Sequence, residues 1–204
     1  MRYYLLLFLG IGFSLDTIAQ SSLYQSSKQQ TLDHNLELFD KQLFSASLYD
    51  NTRLVDEPVS SEQYKSAELH RAMSALQLAS PDGPGLMKSY ILANGNHPSV
   101  VTAGLYLGDH FFYQKNYREA LEGYALVDAE KLSDTNRADV LFKQGYSYFQ
   151  LKNYGQAAPL FDQAKTLNQP ISVDAYYYSG FIALENGNTQ KAISDLQMAA
   201  KDTY

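Results

Sequence analysis

The sequence contains no cysteine, no tryptophan and only 6 prolines among its 204 residues. Without cysteine no disulfide framework can form and no thiolate can bind a metal, so stability must come from packing. A lipidated export leader also needs a cysteine at its cut, and none is present to modify. Positive charge is scarce too: 16 Lys and Arg stand against 22 Asp and Glu, for a formal net charge of -6. Nucleic acids are held by clustered Lys and Arg, and no cluster occurs here. That excludes nucleic acid as a partner, and an anionic membrane surface with it. Beyond residue 20 no apolar stretch approaches the roughly 20 residues of a membrane-spanning helix.

What is present in excess is tyrosine, 17 residues, with 10 Phe beside it. The N-terminus carries a second signal. Arg2 precedes the apolar run Leu5 to Phe13, and Thr17-Ile18-Ala19 then leads into Gln20. A basic start, a short apolar segment and a small-x-small exit are the parts of a secretory leader. The expectation is a leader over 1–19 cut before Gln20. The mature chain is then exported, periplasmic or outer-membrane-associated, without a lipid anchor and without a transmembrane span.

Internal periodicity organises the remainder. Gly108 pairs with Ala120, Gly145 with Ala157 and Gly180 with Ala192, each twelve residues apart, at unit offsets of 37 and 35. Phe111, Tyr148 and Ala183 stand three residues after each glycine. Tyr124, Phe161 and Leu196 stand four after each alanine. Glycine inside a helix costs about 1 kcal/mol relative to alanine, so three at one register need a reason. The expected reason is close approach of two antiparallel helices, each glycine facing the small alanine, with aromatic side chains filling the wedge. One hairpin cannot cover its own apolar face, so neighbours must stack. Asn116 and Asn153 each precede a Glu or Gln by three residues, the capping-box spacing, and Asn188 takes their place in the third unit.

The set Gly145, Tyr148, Tyr154, Ala157, Phe161, Ala164 and Pro170 resembles a tetratricopeptide repeat. Gly108, Phe111, Tyr117, Ala120 and Tyr124 repeat it before, and Tyr176, Gly180, Gly187, Ala192 and Ala199 repeat it after. The tryptophan of the family pattern is replaced by Gly104, Leu141 and Tyr176. The resemblance implies an all-α fold, a right-handed α-α superhelix (solenoid) of stacked antiparallel helix hairpins. Three units are expected in 98–204, at about 101–137, 138–172 and 173–204, and two divergent hairpins of the same kind in 20–97. In the latter, Leu32, Leu36, Phe39 and Leu43 have helical spacing, and Tyr64 to Leu78 reads as an amphipathic helix opening near Ser61. Asn51 to Ser61, with Pro58, reads as a linker. The layout also resembles the first section of long exported bacterial tetratricopeptide proteins, so the array is expected to continue beyond residue 204.

No catalytic constellation is expected, and no cofactor. His34, His70, His97 and His110 lack metal-ligand spacing. Gly145-Tyr146-Ser147-Tyr148 lacks the closing glycine of a nucleophile elbow. Carboxylate pairs such as Glu119 with Glu122 read as solvated helix faces. The resemblance places the binding surface on the inner wall made by first helices. Its groove positions are Leu105, Asp109 and Phe112, then Asp139, Phe142, Tyr146 and Phe149, then Tyr177 and Phe181, with Thr102 and Asp174 at the same face. Large aromatics in a groove suit peptide or helix docking, and an aromatic stripe that packs against neighbouring units is the equal alternative. Leu105, Asp109 and Phe142 are the wrong chemistry for clamping a C-terminal carboxylate. The functional expectation is a non-catalytic scaffold of the bacterial cell envelope whose partners are other proteins. The alternatives are a glycan-binding accessory protein using exposed tyrosines, or the sensor segment of a longer signalling protein.

Overall fold

The computed structural model describes residues 29–56 and 61–201, and the expected leader at 1–19 lies outside them. Among the described residues there are ten α-helices and no strand. They are α1 (29–40), α2 (Phe44–Val55), α3 (Ser61–Gln77), α4 (Gly83–Asn94), α5 (Ser99–Tyr113), α6 (Tyr117–Tyr124), α7 (Asp134–Gln150), α8 (Tyr154–Thr166), α9 (Ser172–Glu185) and α10 (Thr189–Lys201). A single 3-10 turn, Ala129–Lys131, connects α6 to α7. The chain divides between Leu86 and Met87 into two compact units.

Five helix-to-helix turns share one geometry. Gln42, Ala79, Lys115, Lys152 and Gly187 all have left-handed backbones, with φ of 60°, 51°, 63°, 58° and 73°. In each, the left-handed residue donates its N–H to the carbonyl three residues back, as Lys152 does to Phe149 at 2.9 Å. The next residue donates to the carbonyl five back, as Asn153 does to Tyr148 at 2.9 Å. This pair of bonds satisfies carbonyls that the helix end leaves open, in the manner of a Schellman cap. The five positions lie 37, 36, 37 and 35 residues apart, so the period found in the second half runs through the first half as well. Four of the five are not glycine, which is why residue type alone does not reveal them.

In the first unit the core is partly polar. Leu32, Leu54 and Ala67 form its apolar cluster. Beside them Asn35, Ser47, Asn51 and Ser74 are all fully buried. The Asn51 amide donates to the Ser47 carbonyl at 2.9 Å, and the Ser74 hydroxyl donates to the Ser47 hydroxyl at 3.0 Å. Asn35 donates to Asn51 at 3.4 Å. This network corrects the linker expected at Asn51 to Ser61. Helix α2 continues to Val55 and α3 starts at Ser61, because Asn51 is a core residue held by hydrogen bonds rather than a loop residue.

In the second unit α5 packs on α6, α7 on α8 and α9 on α10, while α6 touches α7 and α8 touches α9. The first helices α5, α7 and α9 also touch in succession, so this unit is a helical solenoid with one wall of first helices. Ala120, Ala157 and Ala192 are buried, as expected of the repeat. The side chain nearest each glycine, however, is not the alanine, although the Ala192 carbonyl lies 3.3 Å from a Cβ on Gly180. A Cβ on Gly108 would stand 2.6 Å from the Tyr124 ring, on Gly145 2.9 Å from Phe161, and on Gly180 2.8 Å from Leu196. Each glycine makes room for the large side chain four residues beyond the alanine, and Tyr124 and Phe161 are thereby completely buried. Gly123 adds a contact of its own: a Cβ there would meet the Gly108 nitrogen at 2.5 Å, so α5 and α6 cross backbone to backbone.

Candidate functional site

Aromatic rings from the first-helix wall join into one connected set. Phe112 of α5 lies 5.7 Å from Tyr146 of α7, and Tyr146 lies 5.1 Å from Tyr178 of α9. Tyr178 is the hub, with Phe142 at 6.0 Å, Phe149 at 5.1 Å, Phe161 at 5.6 Å and Tyr177 at 5.2 Å. Phe181 joins through Phe149 at 5.5 Å. Edge-on and tilted pairs at these separations are the favoured geometries of aromatic quadrupoles, each contributing about 1 kcal/mol beyond area burial. Three tyrosine hydroxyls converge here. Burial, with the Tyr146 hydroxyl and the Asp174 carboxylate nearby, pushes the Tyr178 phenol up to about 12. Burial and Tyr146 raise Tyr117 as well. Tyr117 and Tyr178 stay neutral at physiological pH.

The groove positions divide by burial. Phe142 is only 9% exposed and packs into the core with Leu141, Phe161 and Ile182. Leu105, Phe112, Tyr146 and Phe149 are half-buried against the core clusters. Phe181 is half-buried and Tyr177 is 51% exposed. The structure therefore brings the aromatic positions together, but with Phe142 behind the wall and Tyr177 in front of it. Tyr178, which the spacing argument passed over, joins them because α9 follows α7 at an offset of 35 residues and places Tyr178 where α7 carries Lys143.

Lys143 is the second residue missed. Its side chain is 9% exposed, and its ammonium lies 2.9 Å from Asp109 and 2.7 Å from Asp139, two of the expected groove positions. The rings of Tyr113 and Phe112 lie 5.3 and 6.0 Å from the same nitrogen. Burial works against the charge, yet both carboxylates outweigh it and hold the ammonium above its ordinary range. Asp109 also accepts from the buried Tyr124 hydroxyl at 2.6 Å, and burial together with that carboxylate holds the phenol far above its usual value.

A second ionic cluster clasps α8, α9 and α10. Lys165 bonds Asp162 at 2.6 Å and Asp195 at 3.0 Å, and Lys191 bonds the same two carboxylates at 2.9 and 3.0 Å. The Ser179 hydroxyl sits among them, 3.0 Å from the Lys165 ammonium and 2.8 Å from Asp195. Burial opposes the ionised carboxylates, but the two ammonium groups prevail and lower both Asp162 and Asp195. Two cations and two anions balance, so the cluster is neutral as a whole.

Little here is arranged for covalent chemistry. His70 packs edge-on against Phe39 at 5.6 Å and is lowered by burial, and His97 bonds Ser99 at 2.6 Å. Among the described residues no group of three or more His, Asp or Glu could hold a metal ion. No helix among them is long and apolar enough to cross a membrane.

Comparison with known proteins agrees with this geometry. Solved structures of MamA superpose well at low identity. The structure titled MamA AMB-1 gives a TM-score of 0.68 at 15% identity, covering 86% of this chain and 91% of the other. MamA MSR-1 gives 0.65 at 15% identity, covering 85% and 95%, and a MamA RS-1 double mutant 0.67 at 12%, covering 85% and 93%. At such identity the likeness is one of fold. No curated protein sequence gives a significant match. A family model described as tetratricopeptide repeat matches residues 105–169 and again 142–204. Through these overlapping matches, which span the stacked hairpins and their aromatic wall, the chain belongs to the tetratricopeptide repeat family.

Proposed function

We propose that this chain is a non-catalytic protein-interaction scaffold that holds partner peptides or proteins against the wall of α5, α7 and α9. The observation that carries the proposal is Tyr177. It is a large ring, 51% exposed, on a wall whose other rings brace one another from behind. A pre-braced aromatic surface loses little entropy when it is covered, which is what a docking site needs. Within the proposal the groove comprises Leu105, Asp109, Phe112, Asp139, Tyr146, Phe149, Tyr177 and Phe181, with Phe142 supporting it from the core.

The setting we propose is the bacterial cell envelope, on the strength of the leader pattern before Gln20. The two turns at Gln42 and Ala79, in phase with the later three, support five hairpins of one repeat type, the first two divergent. The test is capture from an envelope extract by the immobilised wild-type chain and by a Tyr177→Ala/Phe181→Ala variant of equal thermal stability. Loss of specific partners in the variant is expected. Identical captured sets would end the groove assignment. Sequencing the N-terminus of the exported protein checks the leader, with Gln20 as the expected first residue.

A further inference from the structure

The wall already shows how it holds a cation. Lys143 sits between the carboxylates of Asp109 and Asp139 with the rings of Tyr113 and Phe112 about it. One repeat later, 35 residues on, Asp139 becomes Asp174, Phe142 becomes Tyr177, Lys143 becomes Tyr178 and Tyr146 becomes Phe181. One of the two carboxylates is kept, since Asp109 corresponds at the 37-residue offset to Tyr146, and one ring is added where the lysine is gone. Asp174 is exposed, and no Lys, Arg or His among the described residues pairs with it. Asp174, Tyr177 and Tyr178 lie three and four residues apart on α9, so carboxylate and rings share one helix face. Tyr178 remains a neutral phenol, so the repeat supplies no cation of its own at this place.

We infer that this seat on α9 takes the ammonium or guanidinium of a basic side chain from a peptide partner. The inference rests on the groove reading above and names the chemistry of its occupant. Charge complementarity favours that occupant: the groove face carries Asp109, Asp139 and Asp174 against the single Lys143. A second copy of this chain, at a net charge of -6, would meet the face with the wrong sign. A cation over an exposed ring and beside an exposed carboxylate gains from both, and the two gains together correspond to about a fivefold affinity change.

The test uses the purified chain and three short fluorescent peptides, alternating Lys-Leu, Gln-Leu and Glu-Leu, read by anisotropy at low and moderate salt. The Lys-Leu peptide is expected to bind about fivefold or more tighter than Gln-Leu. Asp174→Asn and Tyr177→Ala should each cut that preference to about twofold and the double variant should remove it, while Asp134→Asn, an equal charge change off the face, should keep it. Equal binding of Lys-Leu and Gln-Leu, both weakened by Tyr177→Ala, would overturn the cationic seat and leave the groove standing. An equal cut in the preference in Asp134→Asn as in Asp174→Asn would reduce it to bulk charge and overturn the seat. Failure of all three peptides to bind would count against the groove itself as well as the seat.

Discussion

A Cβ on Gly145 would stand 2.9 Å from the ring of Phe161, a side chain that is completely buried. Alanine is the better helix former by about 1 kcal/mol, yet here it would have to displace a core ring. Overpacking of this kind costs about 1–3 kcal/mol and outweighs the propensity gain. Gly145→Ala is therefore expected to destabilise the fold by about 1 kcal/mol, and Gly108→Ala by more, since its Cβ would meet Tyr124 at 2.6 Å. Gly85→Ala in α4, where nothing lies within 4 Å, should stabilise by about 0.5 kcal/mol. Thermal or urea unfolding of the three variants checks the order.

Phe142 and Tyr177 occupy the same register in successive units but answer to different forces. Phe142→Ala should cost about 3 kcal/mol, because it opens a cavity beside Phe161 and Tyr178. Tyr177→Ala should change stability by no more than about 0.5 kcal/mol, since half of its surface already faces water. Denaturant midpoints separate the two. A binding defect in the Phe142 variant would then reflect lost structure, while one in the Tyr177 variant would report on docking.

These two residues also mark how far the sequence could be read. The periodic glycines and alanines identify the stacked hairpins over 101–204, because backbone approach tolerates few residue types. They do not identify what each glycine faces, since Ala120 and Tyr124 are both candidates one turn apart on α6. Exposure within the aromatic face was equally hidden. Aromatic residues serve core and surface alike, and only the offset of α9 against α7 decides that Tyr178 turns in and Tyr177 out. The ionic clusters were illegible for a different reason: Lys165 and Asp195 are 30 residues apart and meet only after three helices have stacked. In the first unit, a core built with Asn35, Ser47, Asn51 and Ser74 breaks the apolar periodicity from which α2 would have been traced to its end.

The clasp of Lys165, Lys191, Asp162 and Asp195 should make stability depend on acid. Burial opposes charge on both carboxylates, but the lysines overcome it and lower them in the folded chain. Their contribution is then present above the ordinary carboxylate value, about 4, and is lost as pH falls through the folded value. Lys191 is raised despite burial, by Asp162 and Asp195, so its contribution persists until pH rises through its folded value, above about 10.5. Melting temperature should be flat between about pH 7 and 9, dip below about pH 6.5 as the unfolded chain protonates His70 before the folded one does, and fall further as the clasp carboxylates protonate. Asp195→Asn should flatten the acid limb and cost about 3 kcal/mol near neutrality, at the low end for a broken buried pair because Asp162 still holds Lys165.

The left-handed turns offer a gain rather than a loss. Lys152 and Ala79 pay a steric penalty of about 1–2 kcal/mol that glycine, as at Gly187, avoids. Glycine adds freedom to the unfolded chain, which offsets about half of this. Lys152→Gly and Ala79→Gly are each expected to stabilise by about 0.5 kcal/mol, and the pair should be additive because the two turns belong to different compact units. Differential scanning calorimetry of the two single variants and the double variant measures it.

Because the Lys165 clasp ties the second helix of one hairpin to both helices of the next, α9 and α10 cannot part from α8 without breaking the Lys165–Asp195 and Lys191–Asp162 pairs. Opening there must therefore recruit α8, so amide hydrogens of α8, α9 and α10 should exchange with solvent as one block rather than helix by helix.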